Sequence, residues 1–442
     1  MSFFEITGGK SLKGTIEVSG AKNVALKAIL AGILTDEDLV IENVPMISDF
    51  ETMVELLEYL GMKIEQQDHK VIIHGGGIKK TVVPLSIGDR VRTSMLALGP
   101  LLSRYGHARI PNPGGCRIGA RPIDRHIEGL QKMGAHISYD SNDGYFHAEA
   151  KKLLGVRFRF SKPTHTGTEA LILAAVLAEG ETVLENTATE PEVDELILLL
   201  NQMGAQIKRT DTTTIIIKGV KKLGGTTFRI MPDRNETVTF AIGALLTKGD
   251  VTVRGAQEKF LGAFLSKLTE IGAGWEVLDD EHIRFFYQGE LKATDVVTKP
   301  YPDFMTDWHS PWAVLMTQAR GTSTIHETIF ENRLSYVSEL KKTGAKIELF
   351  NPSVSDPETF YQFNWEDEKP NYFHAITIQG PTLLHNAVMH MTDLRAGATL
   401  ILAALGATGT STIYGTQIVD RGYETIEKRF ASLGALMKRV KE

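Results

Sequence analysis

The sequence predicts an α/β protein made of six repeated units, three in each half of the chain, with buried helices inside and sheets outside. Three observations carry this prediction. A glycine recurs six times between an amphipathic helical pattern and a β-prone run. A strongly apolar helical pattern precedes each amphipathic one, and a short β-prone run lies between the two. Each unit therefore reads as buried helix, strand, amphipathic helix, glycine turn and strand over about 70 residues.

The apolar patterns come first in each unit. Helices this apolar are predicted to be buried on nearly all sides, with short strands after them. The helices are predicted at 22–34, 93–105, 167–180, 234–249, 307–321 and 394–409. The strands are predicted at 39–44, 107–112, 182–187, 250–255, 322–329 and 411–416.

The second helix of each unit has apolar residues at i, i+3, i+4 and i+7, so one face is expected to pack on a core. These helices are predicted at 48–60, 122–133, 191–203, 257–271, 331–343 and 422–433. The glycine that follows fits a left-handed helix C-cap before a strand. The six glycines are Gly61, Gly134, Gly204, Gly272, Gly344 and Gly434.

Two further segments stand out from the repeat. The middle of the chain, at 231-MPDRNETVTF, is the expected crossing between two domains. The segment 351–370 lengthens the last unit, and its Pro, Asp and Glu content predicts a surface loop. Its aromatic residues predict that this loop packs on something nearby.

Composition narrows the class of protein. Hydrophobic residues make up 42% of the chain, and 54 acidic against 48 basic residues give a net charge of −6. The longest apolar runs are too short for a membrane span, the N-terminus does not resemble a signal peptide, and one cysteine cannot form an internal disulfide. These features favour a soluble cytoplasmic protein, with no membrane partner, and argue against one that wraps nucleic acid.

Charged residues cluster where the buried helices begin. Lys22, Arg92, Asp307 and Arg395 all lie at such starts, where free N–H groups and the helix dipole favour anions. If these ends converge on a cleft between two domains, they would hold a phosphorylated or carboxylated substrate. The alternative is that each charge simply caps its helix.

The segment 111-PNPGGCRIGARPID-124 carries the only cysteine. Cys116 lies between glycines and beside Arg117 and Arg121, which would favour the thiolate. The glycines predict a mobile loop that could close over an anion. The alternative, a buried and inert cysteine, lacks the apolar neighbours it would need.

Other chemistry is not indicated. No G-x-G-x-x-G follows a strand, and the histidine spacings do not match a zinc site. We therefore predict neither a cofactor nor a metal.

Five collinear motifs resemble the UDP-N-acetylglucosamine enolpyruvyl transferase family over nearly the whole chain. They are V-S-G-A-K-N at 18–23, P-G-G-C-R-I-G-A-R-P-I-D at 113–124, E-T-I-F-E-N-R at 327–333, T-D-L-R-A-G at 392–397 and D-R-G-Y-E at 420–424. The resemblance implies a two-domain inside-out α/β barrel. It assigns 22–231 to a first three-unit domain with the cysteine loop, and 1–21 plus 232–442 to a second.

The resemblance also implies an activity. The enolpyruvyl group of phosphoenolpyruvate would move to the 3′-hydroxyl of UDP-N-acetylglucosamine with release of phosphate, the first committed step of peptidoglycan synthesis. The mechanism implied is addition and elimination in an interdomain cleft. Asp307 would be the base, Cys116 would deliver a proton and assist product release, and the thiol would be sensitive to fosfomycin.

The family's binding residues carry over by matching motifs. Phosphoenolpyruvate would contact Lys22, Asn23, Arg121, Arg395 and Arg421, with Lys22 and Arg395 also counted as catalytic. UDP-N-acetylglucosamine would contact Arg92, Arg121, Pro122, Ile123, Asp124, Arg125, Lys162, Thr164, Asp307, Ile329, Glu331 and Arg333. The chain departs from the family at 164-THTGT, where S-V-G-A-T is usual, and at Trp308-His309, where an apolar residue and Gln are common.

Three alternatives remain open. The sister enzyme 5-enolpyruvylshikimate 3-phosphate synthase shares the fold and donor, but typically has Lys-Ser where this chain has Lys22-Asn23. A paralogue could bind the UDP-sugar without turnover. A non-catalytic ring such as a DNA clamp would need a basic inner face, which the acidic balance disfavours.

Overall fold

The computed structural model describes residues 2–114 and 118–441, which divide into two compact units. We call residues 20–114 and 122–231 the Lys22 unit. We call residues 2–19, 118–121 and 232–441 the Asp307 unit. No helix within these described ranges is both long enough and apolar enough to cross a membrane.

Each unit contains three strongly apolar helices whose side chains are almost all buried. Some of them begin or end in a 3₁₀ turn. In the Lys22 unit they are Lys22–Ala28 followed by Ile29–Leu34, Arg92–Ala97 followed by Leu98–Tyr105, and His165–Ala175. In the Asp307 unit they are Arg234–Leu246, Thr306–Trp308 followed by His309–Met316, and Leu394–Gly406. All six predicted buried helices are confirmed.

The second helix of each repeat is amphipathic and buries one face. These helices are Ser48–Leu60, Asp124–Lys132, Pro191–Gln202, Gly262–Ile271, Tyr336–Lys341 and Ile426–Ser432. The predicted glycine after each has positive φ, between 78° and 114°. The six left-handed turns are therefore confirmed. Shorter helical turns lie at Leu85–Gly88, Glu258–Phe260 and Thr416–Val419.

Each repeat contributes one small sheet, and five of the six sheets share a four-stranded layout. An edge strand runs parallel to the strand that follows a buried helix, and the other pairs are antiparallel. The Lys22 unit has three sheets, whose strands are given in spatial order. The first contains Thr226–Arg229, Leu39–Glu42, Lys70–His74 and Lys63–Gln67. The second contains Gln206–Arg209, Ile215–Lys218, Glu181–Glu185 and Arg157–Arg159, and the third contains His107–Pro111, Tyr145–Glu149 and His136–Asp140. The Asp307 unit also has three sheets. The first contains Val388–His390, Thr410–Tyr414, Ser2–Thr7 and Leu436–Lys441. The second contains Gly274–Asp279, His282–Phe286, Asp250–Arg254 and Lys13–Glu17, and the third contains Val296–Val297, Gly321–His326, Ala375–Gly380 and Lys346–Phe350.

Two sheets show how the repeat is adapted. In the three-stranded sheet the parallel edge strand is reduced to a single bridge between Val82 and Arg109. The last sheet takes its inner strand, Ser2–Thr7, from the start of the chain, and this strand pairs with both Thr410–Tyr414 and Leu436–Lys441. The predicted fold class, six α/β repeats around buried helices, is confirmed.

The segment 351–370 packs through its aromatic residues, as predicted. Its two helical turns, Pro357–Phe360 and Trp365–Asp367, flank Tyr361 and Phe363, which are 2% and 6% exposed. The Tyr361 hydroxyl lies 3.0 Å from His326 Nε2, and the Gln362 N–H donates to the Thr328 carbonyl at 2.8 Å. The segment therefore covers the end of a strand and the start of the loop after it.

Candidate functional site

Lys22 is fixed at the start of the first buried helix. Its side chain is buried, and Nζ lies 2.7 Å from Asp49 Oδ2, which is also buried. A buried ammonium needs such a partner, because removal from water disfavours its charge. Asn23, the next residue, is half-buried. Asp49 was not predicted from the sequence, because its only local signal is its place in the first turn of an amphipathic helix.

The cysteine loop is only partly described. Arg92 begins the second buried helix, and its Nη1 lies 3.4 Å from the Pro113 carbonyl oxygen, which belongs to this loop. Cys116, the predicted acid, lies outside the described residues. The structure therefore describes the contact of Arg92 with this loop, while the role of the Cys116 thiol stays a prediction.

The predicted nucleotide-sugar residues of the Lys22 unit lie on two segments that contact each other. Arg125 Nε donates to Ser161 Oγ at 3.2 Å. The Thr164 side chain caps the third buried helix by accepting from the Gly167 N–H at 3.3 Å. Lys162 lies between these two contacts. On the other segment Ile123 is buried, whereas Pro122 and Asp124 are exposed.

His126 joins the same two segments and was missed from the sequence. Its Nε2 lies 3.0 Å from Thr166 Oγ1, and its ring is 3% exposed. Burial, with the nearby Arg92 guanidinium, lowers the pKa of His126 to about 3. His126 is therefore a neutral residue whose hydrogen bond to Thr166 joins these two segments.

His165, one of the departures from the family pattern, belongs to a buried ionic cluster. Its Nε2 lies 3.2 Å from Glu169 Oε1, and Lys27 Nζ lies 3.1 Å from Glu169 Oε2. Burial alone would lower the pKa of His165, but the Glu169 carboxylate outweighs it and raises that pKa. The histidine thus helps to compensate a fully buried carboxylate at the start of the third buried helix.

Asp307 is the centre of the ionic network in the Asp307 unit. Arg333 Nη2 lies 2.6 Å from Asp307 Oδ1, and Arg395 Nε lies 3.3 Å from Oδ2. Both arginines are at most 5% exposed. Burial opposes ionisation of Asp307, but the two guanidinium groups outweigh it and hold the pKa of this carboxyl well below its usual range.

Arg395 is held from two further sides. Asp393 caps its helix by accepting from the N–H groups of Arg395 and Ala396, at 2.9 and 3.1 Å. The Tyr423 hydroxyl, which lies 2.8 Å from Thr239 Oγ1, accepts from Arg395 Nη1 at 2.9 Å. Tyr423 was not predicted as a site residue, although it lies in the D-R-G-Y-E motif. Arg421 lies two residues before it and is half-buried.

Glu331 contacts two described residues of the cysteine loop, Gly119 and Ala120. The Ala120 N–H donates to Glu331 Oε1, and a Cβ on Gly119 would lie 2.4 Å from Oε2. Gly119 has a φ of 153°, which disfavours any residue with a side chain, and a Cβ there would also displace the Glu331 carboxylate. Burial raises the pKa of Glu331, and Asp367 and Glu368 raise it further.

Arg121, which follows Ala120, contacts the residue before Glu331. Its guanidinium lies 5.7 Å from the centre of the Phe330 ring, and its backbone has a φ of 50°. Ile329, which precedes Phe330 in the chain, is half-buried. Of the predicted site residues of this unit, the structure brings Asp307, Arg333 and Arg395 into contact. Ile329 and Glu331 lie on the same loop as Arg333.

Chemically, the Asp307 unit presents an ionised carboxylate between guanidinium groups. Guanidinium forks suit carboxylates and phosphates, so an anionic ligand would compete with Asp307 for Arg395. The carboxylate itself can accept a hydrogen bond from a substrate hydroxyl.

Comparison with known families and sequences points in one direction. Residues 6–430 match the family model described as EPSP synthase (3-phosphoshikimate 1-carboxyvinyltransferase). The chain is 44% identical over 444 aligned positions to a UDP-N-acetylglucosamine 1-carboxyvinyltransferase of Acidobacterium capsulatum, covering 100% of this chain and 96% of the relative. It is 41% identical to the enzyme of the same name from Desulforapulum autotrophicum, with 100% of both chains covered.

Solved structures share the fold at lower identity. The enolpyruvyl transferase NikO from Streptomyces tendae aligns with a TM-score of 0.85 and 20% identity, covering 100% of this chain and 99% of that one. EPSP synthase from Acinetobacter baumannii aligns with a TM-score of 0.72, also at 20% identity, with 100% of both chains covered. These likenesses support the fold.

Proposed function

The chain belongs to the EPSP synthase family of enolpyruvyl transferases, and from this we propose that it transfers the enolpyruvyl group of phosphoenolpyruvate to the 3′-hydroxyl of UDP-N-acetylglucosamine. Phosphate is released, and the product enters peptidoglycan synthesis. The choice of acceptor is supported by full-length relatives at 41% and 44% identity that carry the corresponding enzyme name.

One structural observation carries the proposal for the site. Asp307 is an ionised, half-buried carboxylate held by Arg333 and Arg395. The resemblance assigns Asp307 to the base, Arg333 to UDP-sugar binding and Arg395 to phosphoenolpyruvate binding. Such a carboxylate can accept the acceptor hydroxyl's hydrogen bond. It can also stabilise positive charge that develops when the alkene of phosphoenolpyruvate is protonated.

The reaction proceeds by addition and elimination. The 3′-oxygen adds to the central carbon of phosphoenolpyruvate as the methylene carbon gains a proton, which gives a tetrahedral intermediate. Loss of a proton from that methyl group then expels phosphate and restores the double bond. Asp307 takes the hydroxyl proton, and Cys116, by resemblance, delivers the proton and assists product release.

The remaining roles are proposed from the motifs. Lys22, Asn23, Arg121, Arg395 and Arg421 bind the phosphate and carboxylate of phosphoenolpyruvate. The UDP-sugar binds the residues assigned to it by resemblance, which are Arg92, Arg121, Pro122, Ile123, Asp124, Arg125, Lys162, Thr164, Asp307, Ile329, Glu331 and Arg333. Since UDP-N-acetylglucosamine and phosphoenolpyruvate are cytoplasmic metabolites, we also propose a cytoplasmic location.

The test is phosphate release with phosphoenolpyruvate and one of two acceptors, UDP-N-acetylglucosamine or shikimate 3-phosphate. We expect release with the UDP-sugar alone, weakened in Cys116→Ala. Release only with shikimate 3-phosphate would assign the sister activity instead. Folded protein that binds the UDP-sugar but releases no phosphate would be a binding paralogue, and the proposal would be wrong.

A further inference from the structure

Glu327 has a fully buried carboxylate whose first oxygen joins two segments of the Asp307 unit. Oε1 accepts from Thr306 Oγ1 at 2.9 Å, and Thr306 directly precedes Asp307. The same oxygen accepts from the N–H groups of Ile329 and Phe330, at 2.9 and 3.0 Å. Three donors on one oxygen therefore link the segment before Asp307 to the loop that carries Ile329.

The second oxygen of Glu327 faces a buried histidine. Among the described residues, Glu327 Oε2 and His309 Nε2 each have no partner that meets hydrogen-bond geometry, and they lie 3.5 Å from each other. His309 Nδ1 lies 3.3 Å from the hydroxyl of Tyr336, which is also buried. With the proton on Nε2, Tyr336 can donate to Nδ1 while the imidazole N–H points at Glu327.

Burial disfavours the charged form of both members of this pair. Burial raises the pKa of Glu327, while burial and the Arg333 guanidinium hold the pKa of His309 well below its usual range. Asp307 and Asp393 are the other charged groups nearby, and both act on Arg333. The Arg333 guanidinium acts on Glu327 in the opposite sense to burial, because its positive charge favours the carboxylate form.

We propose that Glu327 is a positioning residue that holds Asp307 and the 329–333 loop in register, with His309 and Tyr336 supporting its free oxygen. This inference rests on the proposed function, because the residues it positions are those assigned to the acceptor. The proposal also assigns a role to His309, at a position where the family commonly has glutamine. A histidine and a glutamine side chain can each donate to Glu327 and accept from Tyr336.

Three variants test the carboxylate. Glu327→Ala removes all three acceptor contacts, and because misplacement by 1 Å can cost about 10²-fold in rate, we expect kcat to fall by about that factor. Glu327→Gln keeps an acceptor oxygen, so kcat should fall by less than about tenfold in this variant. Glu270→Gln is the matched control, since Glu270 also accepts from a threonine hydroxyl, that of Thr294, but lies on an outer helix.

A second pair tests the histidine. His309→Gln keeps a polar group facing both Glu327 and Tyr336 and should retain most of the kcat. His309→Leu should lower kcat about tenfold or more, because an apolar group then replaces the imidazole that faces the second oxygen of Glu327. Rescue by glutamine would distinguish positioning from simple filling of the core. If the two substitutions lower kcat equally, the supporting role of His309 is wrong.

Hydrogen exchange at the backbone of Ile329 and Phe330 separates this inference from the proposed function. We expect faster exchange at both amides in Glu327→Ala than in the unsubstituted chain, at a temperature where both are folded. If exchange is unchanged, or if kcat equals that of Glu270→Gln, the positioning role is overturned. If the unsubstituted chain releases no phosphate, the proposed function fails, while the exchange result still decides whether Glu327 holds the loop.

Discussion

The half-buried Asp307 and the buried Arg333 form an ion pair, with 2.6 Å between Oδ1 and Nη2. Arg395 approaches the other carboxylate oxygen at 3.3 Å. Because these guanidinium groups hold the pKa of Asp307 low, the carboxylate is a weak base in this arrangement. In the proposed reaction an anionic substrate on Arg395 would draw away part of this positive charge and strengthen Asp307 as a proton acceptor.

Replacing this carboxylate with an amide should impair chemistry more than folding. Asp307→Asn keeps the shape but removes the charge, so kcat for phosphate release should fall by about 10²- to 10⁴-fold, as for loss of a general base. Circular dichroism and UDP-N-acetylglucosamine binding would establish that the variant is folded.

The matched control is Asp250→Asn. Asp250 is paired with Arg284 through two hydrogen bonds of 2.8 and 2.6 Å, but it lies on a strand at the sheet surface. Its replacement should leave kcat within about twofold, as expected for a surface ion pair. An equal loss in both variants would mean that Asp307 has no special role in the reaction.

Fosfomycin should modify the chain at Cys116. The resemblance assigns this thiol to proton delivery, and two arginines beside it in sequence favour the reactive thiolate. We expect one covalent adduct by intact-mass measurement after incubation with the drug, and loss of phosphate release in parallel. Cys116→Ala should form no adduct, and an unmodified Cys116 in the unsubstituted chain would contradict the assignment.

The repeat could be predicted because each of its signals is local. A left-handed C-cap requires glycine at one position, and a helix buried on all sides shows as a continuous apolar run, so Gly61 and its five equivalents mark the units directly. The same reasoning located Lys22 and Arg395, since both lie at the first turn of a buried helix.

The partners of these residues could not be predicted in the same way. Asp49 pairs with Lys22 across 27 positions, and Tyr423 pairs with Arg395 across 28. Neither has a local pattern that distinguishes it from an ordinary surface acid or core aromatic. Glu327 lies inside a recognised motif, but its function depends on three donors from two segments, which only the tertiary structure brings together.

The conformational role of the glycine turns can be tested on one helix. A Cβ on Gly272, which ends helix Gly262–Ile271 with a φ of 78°, would contact nothing within 4 Å. Gly272→Ala should therefore cost only the left-handed strain, about 1–2 kcal/mol in the free energy of unfolding. Urea unfolding would measure it.

Gly262 at the other end of the helix is the control. A Cβ there also meets nothing within 4 Å, but the residue has helical geometry without positive φ. Gly262→Ala should be neutral or stabilise by up to about 1 kcal/mol. If both alanines cost the same, the left-handed conformation is not what selects glycine at the repeat.

His126 predicts how stability should respond to acid. Its pKa is about 3 in the folded chain, against an ordinary value of 6.5, because burial and Arg92 disfavour the imidazolium. Well above pH 6.5 both the folded and the unfolded chain are neutral at this site. As pH falls below 6.5, the unfolded chain binds the proton first, so stability decreases until the pH approaches 3.

Substitution of His126 should remove this contribution. The slope from one such group is at most about 1.4 kcal/mol per pH unit, and it is only half of that at about pH 6.5, where the unfolded imidazole is half protonated. His126→Gln should therefore lose about 1 kcal/mol less stability than the unsubstituted chain between about pH 6.5 and about pH 5.5. Urea unfolding at the two pH values measures the difference, and His136→Gln, at an exposed strand position, is the control. Other buried histidines persist in every variant, so only the difference between variants reports on His126. If His126→Gln and the unsubstituted chain lose stability equally, His126 is not held neutral beneath the arginines.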